Sequence, residues 1–401
     1  MISWRSSLDC SIWKVGSVLR ISLIPILLRE GTVSQFSPNR NCYLKNKLLG
    51  AGTLQLNIPY LREYVDWDMT SFTGKIIANG ISSEKEGSLF LLEKGRNDLS
   101  NCVVETKGNA RVCAWDTNGN VTLGGLSGAS GTYLSGSSKN TKNFSCTWNV
   151  GTANTNETFA GTINNWSCSG SGYTGTVSII KKGTGEWRLT GNNSYSGSTI
   201  VMAGRLVING TNSGTGSITI NKEAELAGKG TISGKVIVNE NGTLFAGDTL
   251  INSSKLTLNG GLEVKKGGIV AFPLFCDSKT ARTNKISVKN AVINDGVLVL
   301  DITNAQSIPD NQTFILFNDL TSVSGTGFTR IEPERPSATQ IWDTSKLLTN
   351  GYLIIRADND AIEHVNSSQA AKGKKYNLFG QQITDSQKGI YIQDGKKYIS
   401  K

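Results

Sequence analysis

Short runs in which apolar and polar residues alternate recur along the chain, each closed by Gly, Asn or Ser. The clearest hold Trp187 and Leu189, Leu206 and Ile208, Ile218 and Ile220, and then Val236, Ile237 and Val238. They are too short for helices, and the alternation of period two predicts strands with one buried side. Gly-x-apolar openings recur at Gly185-Glu186-Trp187, Gly204-Arg205-Leu206, Gly216-Ser217-Ile218, Gly230-Thr231-Ile232 and Gly242-Thr243-Leu244, at spacings of 19, 12, 14 and 12. Helical repeats need roughly 30 to 45 residues per unit, so this short period predicts strands and turns of a β-solenoid. Asn-Gly at 209–210, 241–242 and 259–260 suits tight corners, because both residue types tolerate positive φ. A β-sandwich also places short strands about 8 to 12 residues apart, so spacing alone leaves both architectures open.

A family resemblance favours the solenoid. Gly183-Thr184-Gly185-Glu186-Trp187-Arg188-Leu189-Thr190-Gly191, Asn192-Asn193-Ser194-Tyr195-Ser196-Gly197-Ser198-Thr199 and Ala203-Gly204-Arg205-Leu206 resemble the autotransporter-associated β-strand repeat, also called the passenger-associated transport repeat. The resemblance implies an all-β chain, a right-handed parallel β-helix in which each coil stacks on the last, strongest over 182–248. Weaker copies extend it over 48–356. Leu49 to Leu56, Asp68 to Ile76, Leu123 to Gly128 and Phe159 to Ile163 look like further coils. Phe245 to Asp248, Leu256 to Gly261, Phe314 to Phe317 and Ile341 to Ser345 look like terminal ones.

Composition fits this reading. The 401 residues include 45 Gly but only 7 Pro, and 38% are hydrophobic. That is modest for a globular core, but each solenoid coil buries only a narrow interior stack. The net charge of +10 does not indicate a nucleic-acid partner. Residues 1–47 and 370–401 each hold seven basic and two acidic residues, which leaves 48–369 balanced at 27 against 27. A phosphate-tracking groove needs its basic residues along the binding surface, not at two chain ends.

Candidate chemistry is sparse, and no motif calls for a cofactor or a metal. The seven cysteines, Cys10, Cys42, Cys102, Cys113, Cys146, Cys168 and Cys276, show no C-x-x-C spacing. Cys102 with Cys113, or Cys146 with Cys168, are disulfide candidates in an oxidising exterior, the alternative being buried thiols in the coil stack. The single His364 sits in a polar stretch and supports neither a triad nor a zinc site. Parallel β-helices also host pectin-cleaving enzymes, which use converging carboxylates or a calcium-binding cluster. The best local pair is Asp66 and Asp68, which share one side of a strand at i and i+2. Asp68 also occupies a polar corner of the repeat, which favours a turn role. Asp358 and Asp360 fall in a polar linker, 357–371. Trp67, Trp115, Trp148 and Trp166 are candidates for stacking on sugar rings or for packing, whereas alternation places Trp187 inside.

The two ends bear on export. Residues 1–47 read as a non-repeat leader, either an imperfect signal segment or a lead-in from a longer protein. The apolar run Ile21 to Leu28 is flanked by Arg20 and by Arg29-Glu30, has no A-x-A site, and is too short to span a bilayer. The tail 372–401, with Gly380, Gly389, Tyr391, Gly395, Lys396 and Lys397 in its Gly-Ile-Tyr-Ile and Gly-Lys-Lys runs, resembles the C-terminal sorting domain of type IX secretion in Bacteroidota. A small β cap on the solenoid is the competing reading. No alternating run long enough for a twelve-strand membrane barrel follows the repeats. Together these features predict a secreted or surface-attached, non-catalytic passenger. It would act as an adhesin or rigid scaffold facing a glycan or protein of a host or bacterial surface, and would reach it through secretion machinery. The competing reading is a pectate-lyase-like or carbohydrate-binding protein.

Overall fold

A computed structural model describes residues 8–9, 25–37, 47–58, 63–64, 68–83, 87–92, 99–114, 119–137, 143–166, 174–248, 253–276, 280–305, 309–358, 374–377, 382–383, 389–393 and 396–400. The chain winds into a parallel β-helix with three faces. The first face stacks Asn143–Val150, Thr174–Lys181, Thr199–Val201, Ile218–Ile220, Val236–Val238, Leu262–Val264, Asn290–Ile293 and Ser322–Ser324, all parallel. The second begins at Leu8–Asp9, which pairs in parallel with Val33–Ser37, and climbs through Thr53–Ile58, Lys75–Gly80 and Leu99–Gly108. Higher up it runs through Glu157–Phe159, Glu186–Leu189, Gly204–Ile208, Ala224–Ala227, Thr243–Phe245, Ile269–Cys276 and Gly296–Ala305 to Phe328–Glu332. Asn120–Gly128 runs through the corner and pairs with strands on both faces.

The third face is built in two stretches. Glu63–Tyr64, Ser88–Leu92, Ala110–Ala114, Tyr133–Ser137 and Thr162–Ile163 form the lower one. Thr211–Asn212, Thr231–Ile232, Lys255–Leu258, Lys285–Val288 and Phe317–Asn318 form the upper one. Asn193 joins them: its side chain accepts the Ile163 N–H at 2.9 Å, and its backbone bridges to Asn212. About a dozen steps of about 4.8 Å make the described helix roughly 60 Å long.

Inward side chains stack coil on coil. Trp187 lies beside Leu206, Leu206 beside Leu226 and Leu226 beside Leu244, giving coils of 19, 20 and 18 residues. The column continues through Val270 and Leu298, and its members are buried. Burying apolar surface contributes about 25 cal/mol per Å², so each coil gains most from the column it extends.

The recurring glycines have a steric cause. A Cβ on Gly191 would lie 2.0 Å from Gly161 O, one on Gly210 would lie 2.0 Å from Gly191 O, and one on Gly230 would lie 2.0 Å from Gly210 O. Gly216 over Gly197 and Gly234 over Gly216 form a second column, at 2.0 and 1.9 Å. At these corners each coil rests its backbone on the carbonyl below, which leaves no room for a side chain. Gly191→Ala is expected to destabilise the chain by about 2 kcal/mol through overpacking. Equal denaturation midpoints for the variant and the parent would refute this account of the glycine columns.

The boundaries differ from the sequence expectation at both ends. Ile26–Leu28 pairs in parallel with Leu48–Gly50, and Val33–Ser37 with Thr53–Ile58, so the coils begin inside the segment read as a leader. At the other end, Phe314 and Trp342 do not lie in ordinary coils. Thr313–Ile315 and Gln340–Asp343 flank Tyr352–Ala357 in an antiparallel sheet whose buried Leu353 and Ile355 join the core. In the tail, Lys375–Asn377, Gln382–Ile383, Gly389–Gln393 and Lys396–Ser400 form a separate antiparallel sheet containing Gly389, Tyr391, Lys396 and Lys397. Gly380, Gly395, His364 and nearly all of the 357–371 linker lie outside the described residues.

Candidate functional site

The carboxylate pair is not assembled among the described residues. Asp68 is exposed, and its Oδ1 accepts the Thr70 hydroxyl at 2.6 Å and the Thr70 N–H at 3.1 Å. Those two bonds hold its carboxyl below the ordinary range, and the side chain caps a turn. Asp66 lies outside the described residues, as does Asp360. Asp358 is ion-paired with Arg335. No group of three or more His, Cys, Asp or Glu among the described residues is arranged to hold a metal.

The tryptophans divide by environment. Trp148, a candidate for sugar contact, is instead 0% exposed in the first-face interior, with its indole N–H donating to Ser135 O at 2.9 Å. A sugar ring cannot reach it in this fold. Trp187 is also interior, 1% exposed, and its N–H reaches Leu126 O at 2.9 Å, two coils down. Trp67 and Trp115 lie outside the described residues. Trp166 is half-buried and lies on the outside of the third face.

That outer surface was not foreseen from the sequence. Arg111, only 5% exposed, lays its guanidinium 3.8 Å from the Tyr133 ring centre and 4.2 Å from that of Trp166. Its NH1 donates to Ser135 Oγ at 2.8 Å, and Ser135 donates on to Asn164 Oδ1 at 2.8 Å. Stacking of Arg on aromatic faces replaces part of the lost hydration and fixes all three side chains. Leu89, Leu91 and Cys113 form a second small apolar cluster beside Trp166. Its one sequence signal is the unalternating apolar run Leu89-Phe90-Leu91-Leu92; in the structure all five residues of both Ser88–Leu92 and Ala110–Ala114 are buried.

Two further polar groups escaped sequence reasoning. Lys181 replaces an apolar residue in the first-face column between Val150 and Val201 and is 1% exposed. Its ammonium donates to Lys182 O at 2.7 Å, Gly183 O at 2.9 Å and Ala203 O at 3.1 Å, and burial lowers its pKa to about 8. On the second face, Glu186, Arg205 and Glu225 occupy successive outward positions and pair in turn. Cys102, Cys113, Cys146 and Cys276 are buried and form no disulfide with one another, Cys168 lies outside the described residues, and burial pushes the Cys146 thiol up to about 12.

No helix among the described residues is long and apolar enough to cross a membrane. Residues 179–208 match the Passenger-associated-transport-repeat family. A 74-residue stretch is 46% identical to the "Adhesin BmaC autotransporter" of Brucella suis biovar 1 (strain 1330) and covers 18% of this chain and 2% of that protein. The chain thus carries a segment similar to an autotransporter passenger repeat, within a parallel β-helix that continues well beyond that segment in both directions.

Proposed function

We propose that this chain is a non-catalytic passenger of the bacterial surface, an adhesin or rigid presentation scaffold, secreted or held at the outer membrane. The observation that carries the reading is the passenger repeat at 179–208, which lies in the middle of a continuous stack of coils. Stacking makes the chain stiff along its axis, so it projects a surface away from its point of attachment. The similarity to a Brucella adhesin over 74 residues supports the same reading. The partner would be a glycan or protein of a host or bacterial surface. The outer third face around Tyr133 and Trp166 is the described surface best suited to it, because amphipathic rings held rigid by Arg111 lose little entropy on contact.

A further part of the proposal rests on the resemblance of the tail, whose strands Lys375–Asn377, Gln382–Ile383, Gly389–Gln393 and Lys396–Ser400 pair in one sheet: export through type IX machinery of a Bacteroidota-like cell with the tail as the sorting element. Protease added to intact cells producing the full chain tests the surface location. Degradation of the chain with cytoplasmic markers intact is the expected result. Deletion of 372–401 is expected to leave the chain inside the cell. Protection of the full chain from external protease overturns the surface reading, and unimpaired export of the deletion overturns the role of the tail.

A further inference from the structure

The second face between Glu186 and Asp248 carries contacts that coil stacking does not require. Glu186–Leu189, Gly204–Ile208, Ala224–Ala227 and Thr243–Phe245 are successive strands of that face. In a solenoid each coil touches only its neighbours, but Asp248, which follows the last of these strands, reaches all three coils below. Its Oδ2 accepts from Arg188 at 3.2 Å on the lowest coil and from Asn209 Nδ2 at 2.9 Å on the next, and lies 3.4 Å from Lys229 Nζ on the third. Its backbone carbonyl accepts from Arg205 NH2 at 3.2 Å. Arg188 and Arg205 are themselves bridged by Glu186 at 2.7 and 3.2 Å.

The backbone is shaped to deliver this residue. Gly247 forms an antiparallel bridge with Gly228, whose N–H donates to Gly247 O at 2.8 Å. Asn284, fully buried, fixes the backbone on either side of Asp248. It donates to Ala246 O at 3.0 Å and accepts the Ser254 N–H at 3.0 Å. Beneath lie Val207 and Ala227, fully buried although they alternate with inward Leu206 and Leu226. Asp248 is itself 5% exposed, so its pair with Arg188 is shielded from water and salt more than surface pairs are, whereas Lys229 is half-exposed.

We propose that Asp248 is a clasp that joins the four coils from Glu186 to Asp248 into one unit that opens as a whole instead of fraying coil by coil. The clasp makes the repeat segment the rigid centre of the helix, and breaking it uncouples the lowest coil from the highest.

Hydrogen exchange followed by mass spectrometry on the full chain tests this. In the parent, amides of 186–189, 204–208, 224–227 and 243–245 are expected to exchange at one common rate. In Asp248→Ala their rates should separate, and 186–189, three coils away, should exchange about tenfold faster or more, the scale of a lost charge-assisted hydrogen bond. Asp248→Asn, close in shape but uncharged, should shift the same amides in the same direction and keeps the test open if the alanine variant fails to fold. Lys235→Ala removes a pair between neighbouring coils only, Lys235 with Glu263, and should leave the common rate intact. Separate rates in the parent overturn the clasp, as does acceleration confined to 243–248 in either Asp248 variant.

Discussion

Trp187→Ala is expected to cost about 4 kcal/mol or more, among the largest losses from any single change in the chain. Removing a fully buried Trp forfeits about 3–5 kcal/mol through lost packing and the cavity left behind. The indole N–H also serves Leu126 O, two coils away. Glu157–Phe159 pairs with the strand below only at Gly128, so Trp187 spans a step where the ladder is short. The alanine variant leaves that carbonyl buried and unserved. Trp187→Phe separates the two effects, because it keeps most of the ring volume and loses only the donor. Its expected cost is about 1–3 kcal/mol. Coils couple mainly to their neighbours, so the damage should be local. Hydrogen exchange should accelerate most over 157–248, the clasped coils moving together, and least near 328–332. Uniform acceleration along the chain, or none, would contradict the placement of Trp187.

Lys181 should give the chain a stability that rises between about pH 8 and 10.5. Burial lowers its pKa from 10.5 to about 8. Across that window the unfolded chain therefore binds the proton more tightly than the folded one, and stability increases as the proton is removed. The stabilising contribution is fully present above 10.5 and is lost as pH falls to about 8. Its upper size is about 3 kcal/mol. Cys146 works in the opposite direction. Its thiol is pushed from 9.0 up to about 12, so its contribution is present below 9 and lost as pH climbs toward 12. The quantity to measure is therefore the difference between the parent and Lys181→Met in denaturant midpoints taken every half unit of pH. A difference that changes by 1 kcal/mol or more between pH 8 and 10.5, in the parent's favour, is expected. A flat difference would show that Lys181 is hydrated in the folded chain.

These two residues also mark what the sequence made legible. Trp187 was readable because its strand alternates and its glycine corners repeat, and both signals are local. The coils over 182–248 were clear for the same reason, each spanning only 18 to 20 residues. Lower coils are longer and uneven. Phe159 lies beside Leu189, 30 residues on, and the period is lost among the insertions. Ile26–Leu28 was read as part of a leader because a three-residue strand carries no period of its own and gains its identity only by pairing with Leu48–Gly50.

Lys181 looked like any polar residue beside a corner, since nothing local shows that its stem enters the apolar column. Arg111 and Asp248 were hidden for a further reason. Their partners, Tyr133 and Trp166 in one case and Arg188 and Asn209 in the other, lie one to three coils away. Coil register brings them together, and register cannot be read where coil lengths vary. Of the carboxylate pair only the Asp68 turn was visible, because an aspartate capping a residue two positions on is itself a local signal.

The proposed role, contact with a surface without catalysis, can be tested in one paired experiment. The purified full chain is applied to immobilised glycans and surface proteins, and in parallel incubated with polygalacturonate with and without calcium. Saturable retention on at least one surface, lost when the chain is unfolded, together with no unsaturated uronate product, is the predicted result. Calcium-dependent release of that product overturns the non-catalytic reading, and no retention on any surface overturns the adhesin reading.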